Sequence, residues 1–488
     1  MKFYIKKILR HSTFYAISNL FIGLTAFILI PLYTQKLRPQ EYGAYSIIAL
    51  FGTILLYVCD LGMINALVKH YFEFGEDDLA NRQRLSSTAL WFFVSVPCVF
   101  LGIFLLTAGK ISALILGGSQ YARFLQLMLA IIFFKHVSAV PMTVLRMKEK
   151  SILFMCLYAL ENLGIVVLAY LFLSVFNRGL LGVFESILLP AAIVAVLSFV
   201  FTRRNYSFKF SFEYAAKMLK YGIPLWLPVF CLWIIDFSDR YLIRYFLSLS
   251  DVGVYSLGYK FGLLAHMAVV SFLMCWGPLI FASAKEQHHR RTLARLSTYV
   301  AAAFMFICLI ISFFGREIVI LLAESAYHSA YKVIPLISFS YYLYGIYMLF
   351  LSGILLSKPV FKQTVILGAA AVINILLNSV LIPVQGIMGA AIATIITYLF
   401  VVGYTYPLAQ RSYRIPYELK RLTLMTLSGI AIFAVSLLVP RHSLIQAAVI
   451  KFFMLWLFPL SLFALGIFNK AQLLKGKEIL VRAVSRIS

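Results

Sequence analysis

The stretch LRPQEYGAYS, residues 37–46, recurs as LSLSDVGVYS at residues 247–256. Both copies carry a leucine, an acidic residue, a glycine and the pair Tyr-Ser at the same spacing, and each copy separates two long apolar runs. Two further phrases repeat at a similar offset: LGGSQY at 116–121 returns as LAESAY at 322–327, and GLLG at 179–182 returns as GIMG at 386–389. Self-similarity of this kind indicates two copies of one structural unit.

The composition places these units in a membrane. Of the 488 residues, 62% are hydrophobic and 12% are charged, and the mean hydropathy is +0.93. About twenty consecutive apolar residues cross the hydrocarbon core of a bilayer. Fourteen such stretches, numbered here as spans 1–14, are predicted: 12–35, 42–66, 85–107, 122–145, 152–175, 180–201, 221–246, 252–281, 294–314, 331–356, 362–383, 387–408, 420–439 and 443–467. The predicted fold is therefore an all-α integral membrane protein.

The net charge of +25 is unevenly distributed. A strongly basic chain can indicate nucleic-acid binding. Here, with the N-terminus in the cytoplasm and the spans alternating in direction, most of the 43 lysines and arginines fall in cytoplasmic segments. This asymmetry is typical of multi-pass membrane proteins. It predicts cytoplasmic termini, and we expect no nucleic-acid partner.

The repeats predict how the spans are grouped. Spans 1–6 form a first six-helix bundle over residues 1–202, and residues 203–220 form a basic cytoplasmic linker. Spans 7–12 form a second bundle over residues 221–410. Spans 13 and 14, with a basic tail, occupy residues 411–488 and have no counterpart in the first half. We expect pseudo-two-fold symmetry between the bundles, as in many transporters.

The repeated stretch has a local interpretation as a helix start. Ser248 and Asp251 have the spacing of a capping box, and Pro39 and Glu41 suit the first turn of a helix. Gly43 and Gly253 follow one turn later, where a missing side chain lets a neighbouring helix approach closely. The stretch therefore predicts a structural or gating role for these glycines. It does not indicate a catalytic role.

The sequence gives little support to an enzyme. The loops between spans are short, and there is no Gly-x-x-x-x-Gly-Lys-Ser/Thr loop for ATP. The six cysteines lie in or beside apolar spans without a Cys-x-x-Cys spacing, so we expect buried apolar residues and neither disulfide nor metal site. No cofactor is predicted.

Four segments resemble the signature of polysaccharide-exporting flippases. They are residues 37–46, Asp60-Leu61-Gly62, Tyr221-Gly222-Ile223-Pro224, and the run from Asp239-Arg240-Tyr241-Leu242 to Tyr255-Ser256. That family belongs to the multidrug/oligosaccharidyl-lipid/polysaccharide exporter superfamily. The resemblance implies fourteen helices and a V-shaped central cavity between two six-helix halves. It also implies transfer of a polyprenyl-diphosphate-linked oligosaccharide, such as an O-antigen repeat unit, across the bacterial cytoplasmic membrane.

Ionisable residues inside the spans are the candidate site. Each costs about 2.5–3.5 kcal/mol at mid-membrane, so it must face water or a partner. At about 100° per residue, five side chains of span 7 fall within about 40° of one line: Trp226, Trp233, Asp236, Arg240 and Arg244. Asp239 lies about 100° away from that line. Guanidinium groups suit phosphate oxygens, and flat rings suit sugars.

Further candidates lie on other spans. We predict substrate binding by Arg240, Arg244, Lys260, Asp236, Asp239, Trp233 and Lys135, and a structural or gating role for Asp60, Gly43 and Gly253. The alternatives are that Asp236 and Arg240 form a structural i,i+4 pair, that Arg240 and Arg244 extend to the membrane surface, and that His136 is a core histidine.

The sequence therefore predicts a flippase that works by alternating access, with a polysaccharide polymerase and glycosyltransferases as further partners beside membrane lipid. Four alternatives remain open. Two are a drug/cation antiporter of the same superfamily and a lipid II-type flippase. The others are a membrane enzyme of polysaccharide assembly and a scaffold without transport.

Overall fold

The computed structural model describes residues 21, 23, 25–75, 77–283, 289–355, 360–439 and 443–467. Across these residues the regular secondary structure is entirely helical. The first half comprises α1 (25–36), α2 (Pro39–Asp60), α3 (Met63–Glu73), α4 (Leu79–Leu116), α5 (Ala122–Met147), α6 (Ser151–Tyr170) and α7 (Gly179–Thr202). The rest comprises α8 (Phe212–Phe246), α9 (Leu249–Ser283), α10 (His289–Leu322), α11 (Ile334–Leu355), α12 (Val360–Gln385), α13 (Ile387–Ser412), α14 (Leu419–Ser436), α15 (Leu444–Leu455) and α16 (Leu457–Ala464).

The all-α membrane fold is confirmed. Within the described residues, 13 helical segments are long and apolar enough to cross a membrane. Each of them coincides with one of the predicted spans 2–14, whereas the first half of span 1 lies largely outside the described residues. The total of fourteen and the two-fold symmetry stay predictions.

The chain divides into two compact units. The first comprises the described residues of Met1–Trp233 together with Ser248–Gly253, and the second those of Ile234–Leu247 and Val254–Ser488. The division falls inside α8, which contributes its N-terminal part to the first unit and its charged C-terminal part to the second. The boundaries predicted for the two six-helix bundles, the linker and the last two spans remain a prediction.

The repeated stretch forms a helix start in both copies. At α2, the backbone N–H of Arg38 donates to the Glu41 carboxylate over 2.9 Å. At α9, the backbone N–H of Asp251 donates to the Ser248 hydroxyl over 3.1 Å. Because four N–H groups at a helix start lack intrahelical partners, these side chains stabilise the first turn.

The glycines of the two copies lie against each other inside the first unit. A β-carbon at Gly43 would overlap the backbone carbonyl of Leu249, and one at Gly253 would overlap the carbonyl of Pro39. Both obstacles are backbone atoms, which cannot rotate away as a side chain can. The absence of side chains at these two positions is therefore what permits the close approach of α2 and the start of α9.

The two other repeated phrases also fold alike. After Leu116 and Leu322 end their helices, 3-10 turns begin at Ser119 and Ser325. Gly179 at the start of α7 and Gly386 just before α13 adopt φ values of 53° and 61°, a left-handed region that favours glycine. The sequence repeats thus correspond to repeated local structure.

A second pair of motifs meets where α2 gives way to α3. Leu61 and Gly62 both have positive φ and break span 2 into α2 and α3. A β-carbon at Gly62 would overlap the carbonyl of Gly222 on α8. Nearby, the indole Nε1 of Trp226 donates to the backbone oxygen of Tyr57 over 2.7 Å. Two of the four family-like segments therefore pack directly on each other in the first unit.

The expectation of uniformly buried cysteines was wrong. Cys59, Cys231 and Cys308 are buried, but Cys98 and Cys156 are exposed on α4 and α6. Apolar character predicts burial only in water, because a helix surface that faces lipid is as apolar as one that faces the protein.

Candidate functional site

The charged part of α8 lies in the second unit, where Arg240 is only 3% exposed. Its guanidinium Nη1 donates to Asp239 Oδ1 over 2.7 Å and also to the backbone oxygen of Asp236. A buried guanidinium without a counter-charge would carry a large desolvation cost. Asp239 supplies that counter-charge, so the structural pair is formed by neighbouring residues rather than by the i,i+4 pair with Asp236.

Aromatic rings complete the surroundings of Arg240. The guanidinium carbon lies 3.7 Å from the ring centre of Tyr259 and 5.2 Å from those of Tyr255 and Phe237. The Tyr255 hydroxyl donates to the other carboxylate oxygen of Asp239 over 2.5 Å. Cation–π contacts gain strength where water is excluded, so the rings and the carboxylate together hold the guanidinium in one position.

Asp236 connects this group to the rest of the second unit. Its Oδ1 accepts a hydrogen bond of 2.7 Å from the hydroxyl of Tyr398 on α13. Tyr259 on α9 and Tyr341 on α11 share a hydrogen bond of 2.6 Å. The charges of this group are two carboxylates and one guanidinium. Their direct partners come from α8, α9 and α13, and α11 joins through the hydrogen bond of Tyr341 to Tyr259.

The network continues through amides to α12. The hydroxyl of Ser238 donates to Asn374 Oδ1 over 3.3 Å, and the amide of Asn374 donates to Thr397 on α13 over 3.1 Å. The amide of Asn378 donates to Asn374 Oδ1 over 2.9 Å. Asn374 and Asn378 are fully buried, so these hydrogen bonds fix the spacing of α8, α12 and α13.

The other cations predicted on α8 and α9 are less buried. Arg244 lies one turn beyond Arg240, and Lys260 follows Tyr259; both are partly exposed. Trp233 is 5% exposed and stacks on Phe230, and it belongs to the first unit with Trp226. The structure therefore brings Asp236, Asp239 and Arg240 together and assigns the two tryptophans of the predicted stripe to the other unit.

A cavity of about 490 Å³ that contains several polar side chains lies within the first unit. It contains two further predicted residues, Lys135 of α5 and Asp60 at the end of α2. Lys135 Nζ pairs with Glu161 Oε1 of α6 at 2.9 Å, and about a third of its side chain remains exposed. Asp60 accepts a hydrogen bond of 3.2 Å from the backbone N–H of Ile64 and so caps α3.

The remaining lining gives the cavity a mixed character. Arg146 lies at an exposed position, and the rings of Phe93, Phe154 and Tyr158 line the wall. His136 is 3% exposed, and its Nε2 has no hydrogen-bond partner among the described residues. The cavity thus combines cations for an anionic group, acceptors for hydroxyls and flat rings for sugar faces.

Sequence reasoning missed several members of both sites. Tyr259, Tyr341 and Tyr398 were not predicted as partners of the α8 charges, although Tyr255 belongs to the repeated stretch. Apolar and aromatic residues fill every span, so the tyrosines that hold a carboxylate carry no distinguishing pattern. Within the described residues, no cluster of His, Cys, Asp and Glu could hold a metal ion.

The fold is shared with solved membrane transporters. The structure matches a lipid II flippase, MurJ, in an inward closed conformation, with a TM-score of 0.74, 15% identity and coverage of 94% of this chain and 100% of that one. It also matches an inward-facing multidrug resistance MATE family transporter of the MOP superfamily, with a TM-score of 0.63, 13% identity and coverage of 80% and 94%. At these identities the likeness establishes the fold alone, that of a multi-pass helical membrane protein.

The sequence comparison gives the family. The family model described as polysaccharide biosynthesis protein matches residues 8–284, which is more than half of the chain, and the protein belongs to that family. A protein of the Lsg locus of Haemophilus influenzae is 22% identical over 298 residues, covering 58% of this chain and 68% of that protein. The resemblance drawn from the sequence motifs is confirmed.

Proposed function

We propose that this protein translocates a polyprenyl-diphosphate-linked oligosaccharide, a repeat unit of O-antigen or a related polysaccharide, across the bacterial cytoplasmic membrane. The observation that carries the proposal is the polysaccharide biosynthesis family match on a fold shared with a lipid II flippase. The charged groups inside the spans supply the physical support. A diphosphate with attached sugars cannot cross hydrocarbon unless side chains replace its water.

The exposure of each cation suggests its part in binding. Arg240 is buried and already paired, so we propose that Arg240 and Asp239 position the surrounding helices. Arg244 and Lys260 of the second unit retain exposed surface, as does Lys135 in the cavity of the first unit, and we propose that each of them contributes to binding the anionic head group during transport. Asp236 keeps partial exposure and would accept hydrogen bonds from sugar hydroxyls, whereas the buried Trp233 would support the packing of α8.

The gating role of Asp60, Gly43 and Gly253 belongs to the same proposal. These residues lie at helix junctions of the first unit, where α2 meets α3 and the start of α9. Alternating access requires helices to move as rigid elements about such junctions. Both termini would lie in the cytoplasm, and polysaccharide polymerase and glycosyltransferases would act before or after transport. Translocation itself requires no bond to form or break.

A drug/cation antiporter is the second candidate, and one observation favours it. The α8 network contains two carboxylates against one guanidinium, and an excess of acid suits a cationic cargo. The likeness to a multidrug resistance transporter is compatible with this function. Removing the cations Arg244 and Lys260 should weaken transport of an anionic diphosphate by a flippase. It should not weaken export of a cationic drug by an antiporter.

Complementation distinguishes the two functions. In a bacterial strain that lacks its O-antigen flippase, we expect the wild-type protein to restore surface polysaccharide. The Arg244→Gln/Lys260→Gln variant should restore at least tenfold less, because the diphosphate loses two cationic contacts. Arg411→Gln/Lys420→Gln removes the same charge from exposed positions of the same unit and should behave as wild type.

The amount of protein in the membrane is measured for each variant so that failed insertion is not mistaken for failed transport. Each strain makes only one repeat unit and therefore tests only one substrate. A second strain with a different repeat unit is tested in parallel. The wild-type protein could instead confer resistance to cationic drugs and restore surface polysaccharide in neither strain. That result would assign the antiporter function and contradict the flippase.

A further inference from the structure

A groove in the second unit takes no part in the transport site described above. A cavity of about 390 Å³ lies at one end of α10 and α14, and a second of about 260 Å³ lies deeper between the same helices. Both are lined by Ser312, Pro335, Leu336 and Phe433, so they are two parts of one channel, named here the α10–α14 groove.

The mouth of the α10–α14 groove is cationic. Arg316, Lys332 and Lys451 line it, while the described lining of either cavity includes no aspartate or glutamate. Lys451 is neutralised by Glu317, whose Oε1 lies 2.6 Å from its Nζ. Among the described residues, none forms a hydrogen bond or ion pair with the side chains of Arg316 or Lys332. Two positive charges at the mouth are therefore uncompensated within the described protein.

The interior of the groove is apolar, and α10 and α14 come into close contact at its inner end, named here the floor. Leu309, Phe339, Ile395 and Ile430 line the deeper cavity. At the floor, α14 approaches α10 so closely that a β-carbon at Gly429 would press on the Met305 side chain. The eleven steps along α10 from Met305 to Arg316 correspond to about 16 Å of helix at 1.5 Å per step.

That length matches one leaflet. The hydrocarbon core of a bilayer is about 30 Å thick, so a groove of about 16 Å runs from its surface to its middle. The predicted span 9 ends at residue 314, two positions before Arg316, which puts the cationic mouth at the level of lipid head groups.

We propose that the α10–α14 groove binds an anionic glycerophospholipid, with its phosphate at Arg316 and Lys332 and one acyl chain in the apolar interior. The uncompensated charges favour an anionic head over a zwitterionic one, because the Glu317 carboxylate at the mouth is already paired with Lys451. The length of the groove, about that of one leaflet, suits an acyl chain better than a long polyprenyl chain. The lipid holds α14 and α15 against α10 and α11.

The test uses purified full-length protein in detergent and photoactivatable phosphatidylglycerol with a diazirine at the end of one acyl chain. We expect cross-links at the floor, in the α14 segment around Gly429 and on α10 around Met305. Phosphatidylethanolamine with the same chains should give several-fold less product. Arg316→Gln/Lys332→Gln should weaken labelling by roughly tenfold or more, since each cation near a membrane surface contributes to anionic-lipid binding.

Two variants complete the design. Lys110→Gln/Arg123→Gln removes two exposed cations of the first unit and should label as wild type. Ile430→Trp fills the deeper cavity from a residue that is 43% exposed and should abolish the floor cross-links. Equal labelling by both phospholipids, or labelling unaffected by the mouth variant, would overturn the proposal. Displacement by polyprenyl phosphate at lower concentration than by phosphatidylglycerol would assign the groove to an isoprenoid instead.

Discussion

Replacing Arg240 with methionine should lower the free energy of unfolding by about 3–5 kcal/mol, because it leaves the Asp239 carboxylate buried without its counter-charge. Asp239 and Arg240 are both almost completely buried, so water cannot solvate the remaining charge. The loss also removes the cation from the rings of Tyr255 and Tyr259. Chemical unfolding of the purified protein in detergent measures the change.

The double variant Asp239→Asn/Arg240→Met separates charge from packing. Removing both members of a buried pair is often close to neutral, so most of the lost stability should return. Arg244→Met, one turn along α8 and partly exposed, is the matched control and should change stability by less than about 1 kcal/mol. If Arg240→Met alone were as stable as wild type, the ion pair would not hold these helices together.

Replacing Gly43 or Gly253 with alanine should destabilise the first unit, by about 1–3 kcal/mol or more for each substitution. The added β-carbon meets the carbonyl of Leu249 in one case and that of Pro39 in the other, so the backbones of α2 and α9 must separate. We expect the double substitution to prevent accumulation of folded protein in the membrane. Monodispersity after extraction and the midpoint of thermal unfolding report the effect.

Gly403→Ala is the control for these substitutions. Gly403 also lies within a helix, α13, but a β-carbon there meets nothing within 4 Å. Because alanine is the better helix former, this variant should be neutral or slightly more stable. A Gly43→Ala protein that behaves like Gly403→Ala would show that the two helix starts do not touch in the membrane.

The membrane fold could be predicted because lipid imposes a simple pattern on sequence. A span must be apolar over its whole length, and the boundaries of spans 2–14 follow from that requirement alone. The break between α2 and α3 could not be derived in the same way. Leu61 continues the apolar run, and the two requirements that Gly62 meets, a positive φ and the close approach of Gly222, are visible only in the folded protein.

The candidate site was predictable at the level of residue type. Charges within spans must have partners, which identified Asp236, Asp239, Arg240 and Lys135. Their partners could not be predicted, because a helical projection gives the direction of a side chain at its first bond and not where a long side chain ends. Arg240 folds back to the adjacent Asp239, which the projection places about 100° away.

Transport in a reconstituted bilayer is the most direct measurement of the central claim. The purified protein is placed in vesicles that contain a polyprenyl-diphosphate-linked oligosaccharide with a labelled terminal sugar, and a glycosidase that cannot cross the bilayer is added outside. The protein should make the inner-leaflet fraction accessible to the enzyme over time, and Arg244→Gln/Lys260→Gln vesicles should do so at least tenfold more slowly. If the inner-leaflet sugar stays protected as fully as in protein-free vesicles, the protein is not a flippase for this class of lipid.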